Sequence, residues 1–209
     1  MQAFAELLDR LVYTTARNAK LKLLEDYFKE VPDPDRGWAL AALTDGLPLR
    51  LPIRKTLATI LEPHVDPLLY RLSRDYVGDT AETVSLLWPD ARANAPPPSI
   101  GEVVAEVSSA SSREFPRVLE RLLDRLDVKG RFALLKLLSG ALRVGVSARL
   151  AKTAIARSFG REVEEIEEAW HAVTPPYGDM FAWLEGRSER PTSDAASGPI
   201  PAARRPSGR

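Results

Sequence analysis

Displaced by 95 residues, the chain falls into register with itself. Leu40, Leu43 and Thr44 meet Leu135, Leu138 and Ser139, and Leu47, Leu49 and Leu51 meet Leu142, Val144 and Val146. Upstream, Leu23, Leu24, Tyr27, Phe28 and Val31 meet Val118, Leu119, Leu122, Leu123 and Leu126, all apolar at helical spacing. Arg54 meets Arg149, Ile60 meets Ile155, and Pro52 meets Ser147, both residue types that begin helices. Coincident phasing of two amphipathic halves accounts for the apolar matches. It accounts less well for two arginine-bearing turns in one register. The repeat predicts two related helical halves, about 1–94 and 99–186.

The sharper copy of the turn is Leu138-Ser139-Gly140-Ala141-Leu142-Arg143-Val144-Gly145-Val146-Ser147. Gly140 can end a helix in the left-handed region. Gly145 permits a second unusual backbone angle or a close approach. Ser147 suits the N-cap of the apolar helix that follows. Glycines, free amides at a helix start and Arg143 together fit a phosphate-bearing partner. A plain helix–helix connector with a solvated arginine has the same ingredients.

Nearly every other segment also reads as helix, about a dozen in all, so the expected class is all-α. Phe4, Leu7, Leu8 and Leu11 form one stripe, and a second helix runs Arg17–Glu30 until Val31-Pro32-Asp33-Pro34 breaks it. Trp38, Leu40, Ala41 and Leu43 belong to a third; Pro52 and Asp66-Pro67 open two more, and Asp79 caps a sixth. Ala95-Pro96-Pro97-Pro98 falls between the halves, where a linker belongs. Ser99-Ile100-Gly101-Glu102 has capping-box spacing. Helices are expected near 114–126, 129–139, 147–159 and 162–173, then one short helical turn within 177–185. From Arg187, apolar periodicity gives way to Ser, Pro, Gly, Ala and Arg, so 187–209 reads as a disordered tail or linker.

Composition removes several function classes. There is no cysteine, so no disulfide or thiolate chemistry, and only His64 and His171, far apart, could offer imidazole. No apolar run approaches the roughly 20 residues of a membrane span, and the N-terminus lacks a basic secretory start. With 29 basic and 29 acidic residues the net charge is +0, so any nucleic-acid contact must use one local face. Phosphate-loop, dinucleotide and nucleophile-elbow motifs are absent. The acidic run at 162–168 reads as a solvated helix face. Nothing assembles an acid, a base and a nucleophile.

The chain resembles the N-terminal DNA-binding domain of bacterial ATP-dependent DNA ligases over about residues 1–186. The matching stretches are Phe4-Ala5-Glu6-Leu7-Leu8-Asp9, Arg17-Asn18-Ala19-Lys20-Leu21 with Tyr27-Phe28, and Asp35-Arg36-Gly37-Trp38-Ala39-Leu40. To these are added Arg50-Leu51-Pro52-Ile53-Arg54-Lys55, Asp75-Tyr76-Val77-Gly78-Asp79 with Glu82-Thr83, and, most specific, Gly140-Ala141-Leu142-Arg143-Val144-Gly145-Val146. The resemblance implies an all-helical domain with an internal pseudo-twofold that grips the minor groove of nicked duplex DNA through interhelical loops. Carried over, Gly140, Arg143, Gly145 and Ser147 should touch phosphates, with Arg50, Arg54 and Lys55 on the partner turn. Thr15, Arg17, Asn18 and Lys20 are further DNA-binding candidates.

The family forms a lysyl-adenylate at a Lys-x-Asp-Gly motif, and no lysine here begins one. ATP and magnesium therefore belong to the parent ligase, and no cofactor is expected in this chain. It reads as a first domain ending in a linker, a monomer, cytoplasmic and nucleoid-associated. Its expected partners are nicked double-stranded DNA and the parent's catalytic domains, in DNA repair, replication or recombination. The competing readings are a helical protein-interaction scaffold without DNA affinity and a standalone helical enzyme.

Overall fold

The computed structural model describes residues 1–49, 51–89, 95–140 and 142–192. Among these it is all-helical, with no strand. The first half supplies α1 (Gln2–Tyr13), α2 (Arg17–Glu30), α3 (Asp35–Leu43), α4 (Ile53–Leu61), α5 (Pro67–Val77) and α6 (Thr80–Leu87). The second supplies α7 (Ile100–Ser109), α8 (Phe115–Asp124), α9 (Val128–Ser139), α10 (Ala148–Ser158), α11 (Val163–Trp170) and α12 (Gly178–Leu184). The 95-residue shift lays each helix of the first set over its mate in the second.

Helix starts follow the punctuation of the sequence. Asp66 accepts hydrogen bonds from the Leu68 and Leu69 amides ahead of α5, with Pro67 at its first position. Ser99 and Glu102 close a capping box on α7. Gly78 and Gly140 end α5 and α9 in the left-handed region. The short turn expected within 177–185 is a seven-residue helix, α12, which buries Met180, Phe181, Trp183 and Leu184. The acidic run is a solvated face as expected, with Glu162, Glu164, Glu167 and Glu168 exposed; within it Glu162 and Glu165 form the α11 capping box, and Glu168 pairs with Arg190. Of the expected tail, residues 187–192 carry no helix and 193–209 lie outside the described residues.

The halves are not separate lobes. α1 packs on α9 and α7 on α3; α2 packs on α10 and α8 on α4; α3 meets α10 and α9 meets α4. Each contact is converted into its companion by exchanging the halves, which is the mark of an approximate twofold. One apolar core runs through both. The Pro-rich link is held down as well: the Pro98 carbonyl accepts from the Met1 amine at 2.8 Å, and the Pro96 carbonyl from Arg125 Nε at 3.0 Å.

Two buried arginines, mates at the same shift, close the structure. Arg36 reaches the Phe28 carbonyl at the end of α2, chelates Asp33 at 2.7 and 2.8 Å, and pairs with Glu185 after α12 at 2.6 Å. Its guanidinium lies 4.3 Å from the Phe181 ring centroid. Arg131 donates to the Leu123 carbonyl at the end of α8, and to the Trp88 and Pro89 carbonyls after α6. Leu123 is the mate of Phe28, so both arginines bridge equivalent helix ends. Such burial is tolerated because a guanidinium offers five donors in a fixed fork and can satisfy several acceptors at once.

Candidate nucleic-acid interface

The two interhelical turns meet. A groove of about 310 Å³ is lined by Ala42, Asp45, Leu47 and Leu49 from the first turn and by Leu137 and Gly140 from the second. Ala42 and Leu137 are mates, as are Asp45 and Gly140, so this groove lies on the approximate axis. Gly140 has φ 64° and Asp45 φ 56°. Both turns thus leave their helix through a left-handed residue, glycine in one and aspartate in the other. The sequence pointed to Gly140; nothing about Asp45 marked it as its conformational equivalent.

Beside the axis, Arg54 and Lys55 in the first turn of α4 line a depression of about 730 Å³ together with Arg143. Leu51, the start of α6 and the end of α9 complete its wall. Lys136 also lines it, but it is paired with Asp79. Burial would raise the Asp79 carboxyl; the Lys136 bond and the Glu82 amide outweigh this and hold it below the usual carboxylate range. Arg54 also borders a neighbouring hollow with Arg74 and Gly78.

Past Gly145, a further concavity of about 560 Å³ gathers Thr15 and, from the start of α2, Arg17 and Lys20 with Gly145, Ser147 and Arg149. Ser147 caps α10, accepting from the Leu150 amide at 3.1 Å. Gly145 has φ 65°. Thr15, Arg17, Asn18, Arg54, Lys55, Gly140, Arg143, Gly145 and Ser147 are all exposed. Lys20 is half-buried, its ammonium engaged by the Val144 carbonyl. Arg50 lies outside the described residues, and Asn18 lines none of these hollows.

No family model and no curated protein sequence matches the chain. The character of this face therefore rests on its own chemistry, and two features distinguish it. First, no carboxylate among the described residues pairs with Arg17, Arg54, Lys55, Arg143 or Arg149. Elsewhere Arg36, Arg121, Arg125, Arg157 and Arg187 have acidic partners while Arg10, Lys29, Arg71, Arg113 and Arg117 form no ion pair among the described residues, so what sets this face apart is the gathering of its unpaired cations beside the two turns. Second, α2, α4 and α10 begin here with no acid at the cap or in the first turn. By contrast α5, α6, α7, α9 and α11 open on or beside Asp66, Asp79, Glu102, Asp127 and Glu162. The positive ends of three helix dipoles thus stand uncompensated beside five unpaired cations, an arrangement that attracts anions.

Arg149 is the functional candidate that the sequence reading left out, although the repeat already paired it with Arg54. Its position in the first turn of a helix capped by Ser147 was the available signal.

Proposed function

We propose that this chain binds duplex DNA without sequence specificity, as the DNA-binding domain of an ATP-dependent DNA ligase, with nicked DNA as the target. The observation that carries the reading is the meeting of the two turns on the approximate twofold axis, flanked by unpaired arginines and unblocked helix starts. A DNA backbone has its own local dyad, so paired turns can address both strands. Backbone contacts of this kind position a protein and carry little base information. Adenylation and strand sealing would belong to catalytic domains beyond this chain.

The test is an anisotropy titration with nicked, intact and single-stranded DNA across a salt series. If the five unpaired cations each neutralise a phosphate, the slope of log K against log salt is about −4.5, and affinity falls roughly 500-fold between 50 and 200 mM salt. Nicked and intact duplex should bind more tightly than single strands. Absence of duplex binding at low salt would refute the proposal.

A protein-interaction role has one observation in its favour. α5 buries no residue, and Leu68, Leu69, Leu72 and Tyr76 are exposed on it, as is Leu86 on α6. An apolar patch of this kind suits a protein surface rather than phosphates.

A further inference from the structure

Lys20 stands in the sequence among the basic residues at the start of α2, where it reads as one more phosphate contact. Its surroundings give it a different task. Its Nζ donates to the Val144 carbonyl at 2.5 Å and lies 3.4 Å from the Gly145 carbonyl, across 124 and 125 residues of sequence. Two successive carbonyls face one ammonium because Gly145, at φ 65°, turns the backbone between them through the left-handed region. The ammonium lies close against Gly145: a Cβ there would stand 2.5 Å from it and the lysine end would have to shift, while the φ of 65° is itself strained for any side chain. An ammonium has three donors and no acceptor, and two of them point at this turn.

We infer that Lys20 is a positioning residue: it ties the start of α2 to the 140–147 turn and fixes the backbone that displays Arg143 and the cap of α10. The functional half of this inference rests on the duplex-binding reading above. Among the described residues the strut belongs to the second turn: the mate of Lys20 is Phe115, buried in the core, which cannot supply an equivalent tie to the first. The carbonyls also supply negative potential to an ammonium that shares its concavity with Arg17 and Arg149, where a further unpaired cation would be repelled.

Two readouts test it on the intact chain. The first is the backbone ¹⁵N order parameter at residues 144–146 in the free protein. It should be near the rigid value of about 0.85 in the parent and fall below about 0.6 in Lys20→Met. Lys20→Arg, which keeps donors, should restore it.

The second is a duplex titration of Lys20→Met, Arg143→Ala and the double variant. Lys20→Met should weaken binding about tenfold with its salt slope unchanged, and the double variant should lose less than the product of the single losses. A turn that stays rigid in Lys20→Met overturns the inference. So does a slope shallower by about 0.9 with multiplicative losses, which marks a direct phosphate contact. If the parent protein fails to bind duplex, the function proposed above falls, and the order parameters alone still decide whether the strut exists.

Discussion

Replacing Arg36 with methionine tests how the two halves are locked. The side chain is 5% exposed, while its partners Asp33 and Glu185 are 30% and 29% exposed. Solvent therefore screens the carboxylates, and each ion pair is worth about 1 kcal/mol rather than the larger value of a fully buried pair. The cation–π contact with Phe181 adds about 0.5–1 kcal/mol. The bond to the Phe28 carbonyl, long at 3.4 Å, adds only about 0.5 kcal/mol. Methionine restores most of the packing but none of these. The expected loss is about 3 kcal/mol, a fall in melting temperature of roughly 6–12 °C for a chain of this size.

The loss should also depend on pH. The bond from Arg36 holds the Glu185 carboxyl below the usual glutamate range, against burial and with help from Arg187. A carboxyl depressed by folding contributes its full stability above its unfolded value, about 4.3, and loses it as pH falls through the lower folded value. The gap between parent and variant should therefore be widest near neutrality and shrink below about pH 4. Urea denaturation followed by circular dichroism from pH 7 to 3 measures both effects. A loss under about 1 kcal/mol, or a gap that does not narrow in acid, would refute the reasoning.

Tyr27→Phe should stabilise the protein by about 1 kcal/mol, because the Tyr27 hydroxyl is buried with no hydrogen-bond partner among the described residues; thermal melts check it, and destabilisation would contradict it. Asp45→Gly relieves a left-handed aspartate and removes a negative charge on the axis groove. It should gain about 0.5–1 kcal/mol and tighten duplex binding, read by melting and by anisotropy. Arg54→Ala combined with Arg143→Ala should make the salt slope shallower by about 1.8 without lowering the melting temperature, and an unchanged slope would remove both residues from the contact surface.

What could be read from the sequence follows from which forces are local. Helix ends were legible because Asp66-Pro67, Ser99 with Glu102, Gly78 and Gly140 act within one turn of their own backbone. The repeat was legible through its apolar positions. Arg36 and Arg131 were not recognisable as core residues, since a buried arginine looks the same in a sequence as a solvated one until its acceptors are known. The same holds for Lys20, whose acceptors are main-chain oxygens far along the chain. α5 errs in the opposite direction. Leu68, Leu69, Leu72 and Tyr76 have the spacing of a buried stripe, yet they face outward, because α5 packs on α6 through other positions. Of the candidate site, the concentration of cations at the two turns was visible; their freedom from carboxylates was not.

The exchange of packing partners between the halves has a consequence for assembly. A unit that buries α1, α2, α3 and α4 chiefly on a copy of itself is, on its own, half of a homodimer, with its apolar faces open to water. Severing the chain at the proline link should give two fragments that remain unstructured until mixed and then fold by complementation. Holding both copies in a single polypeptide frees them from strict identity, so that one corner can present glycine and Arg143 where the other presents Asp45 and Pro48.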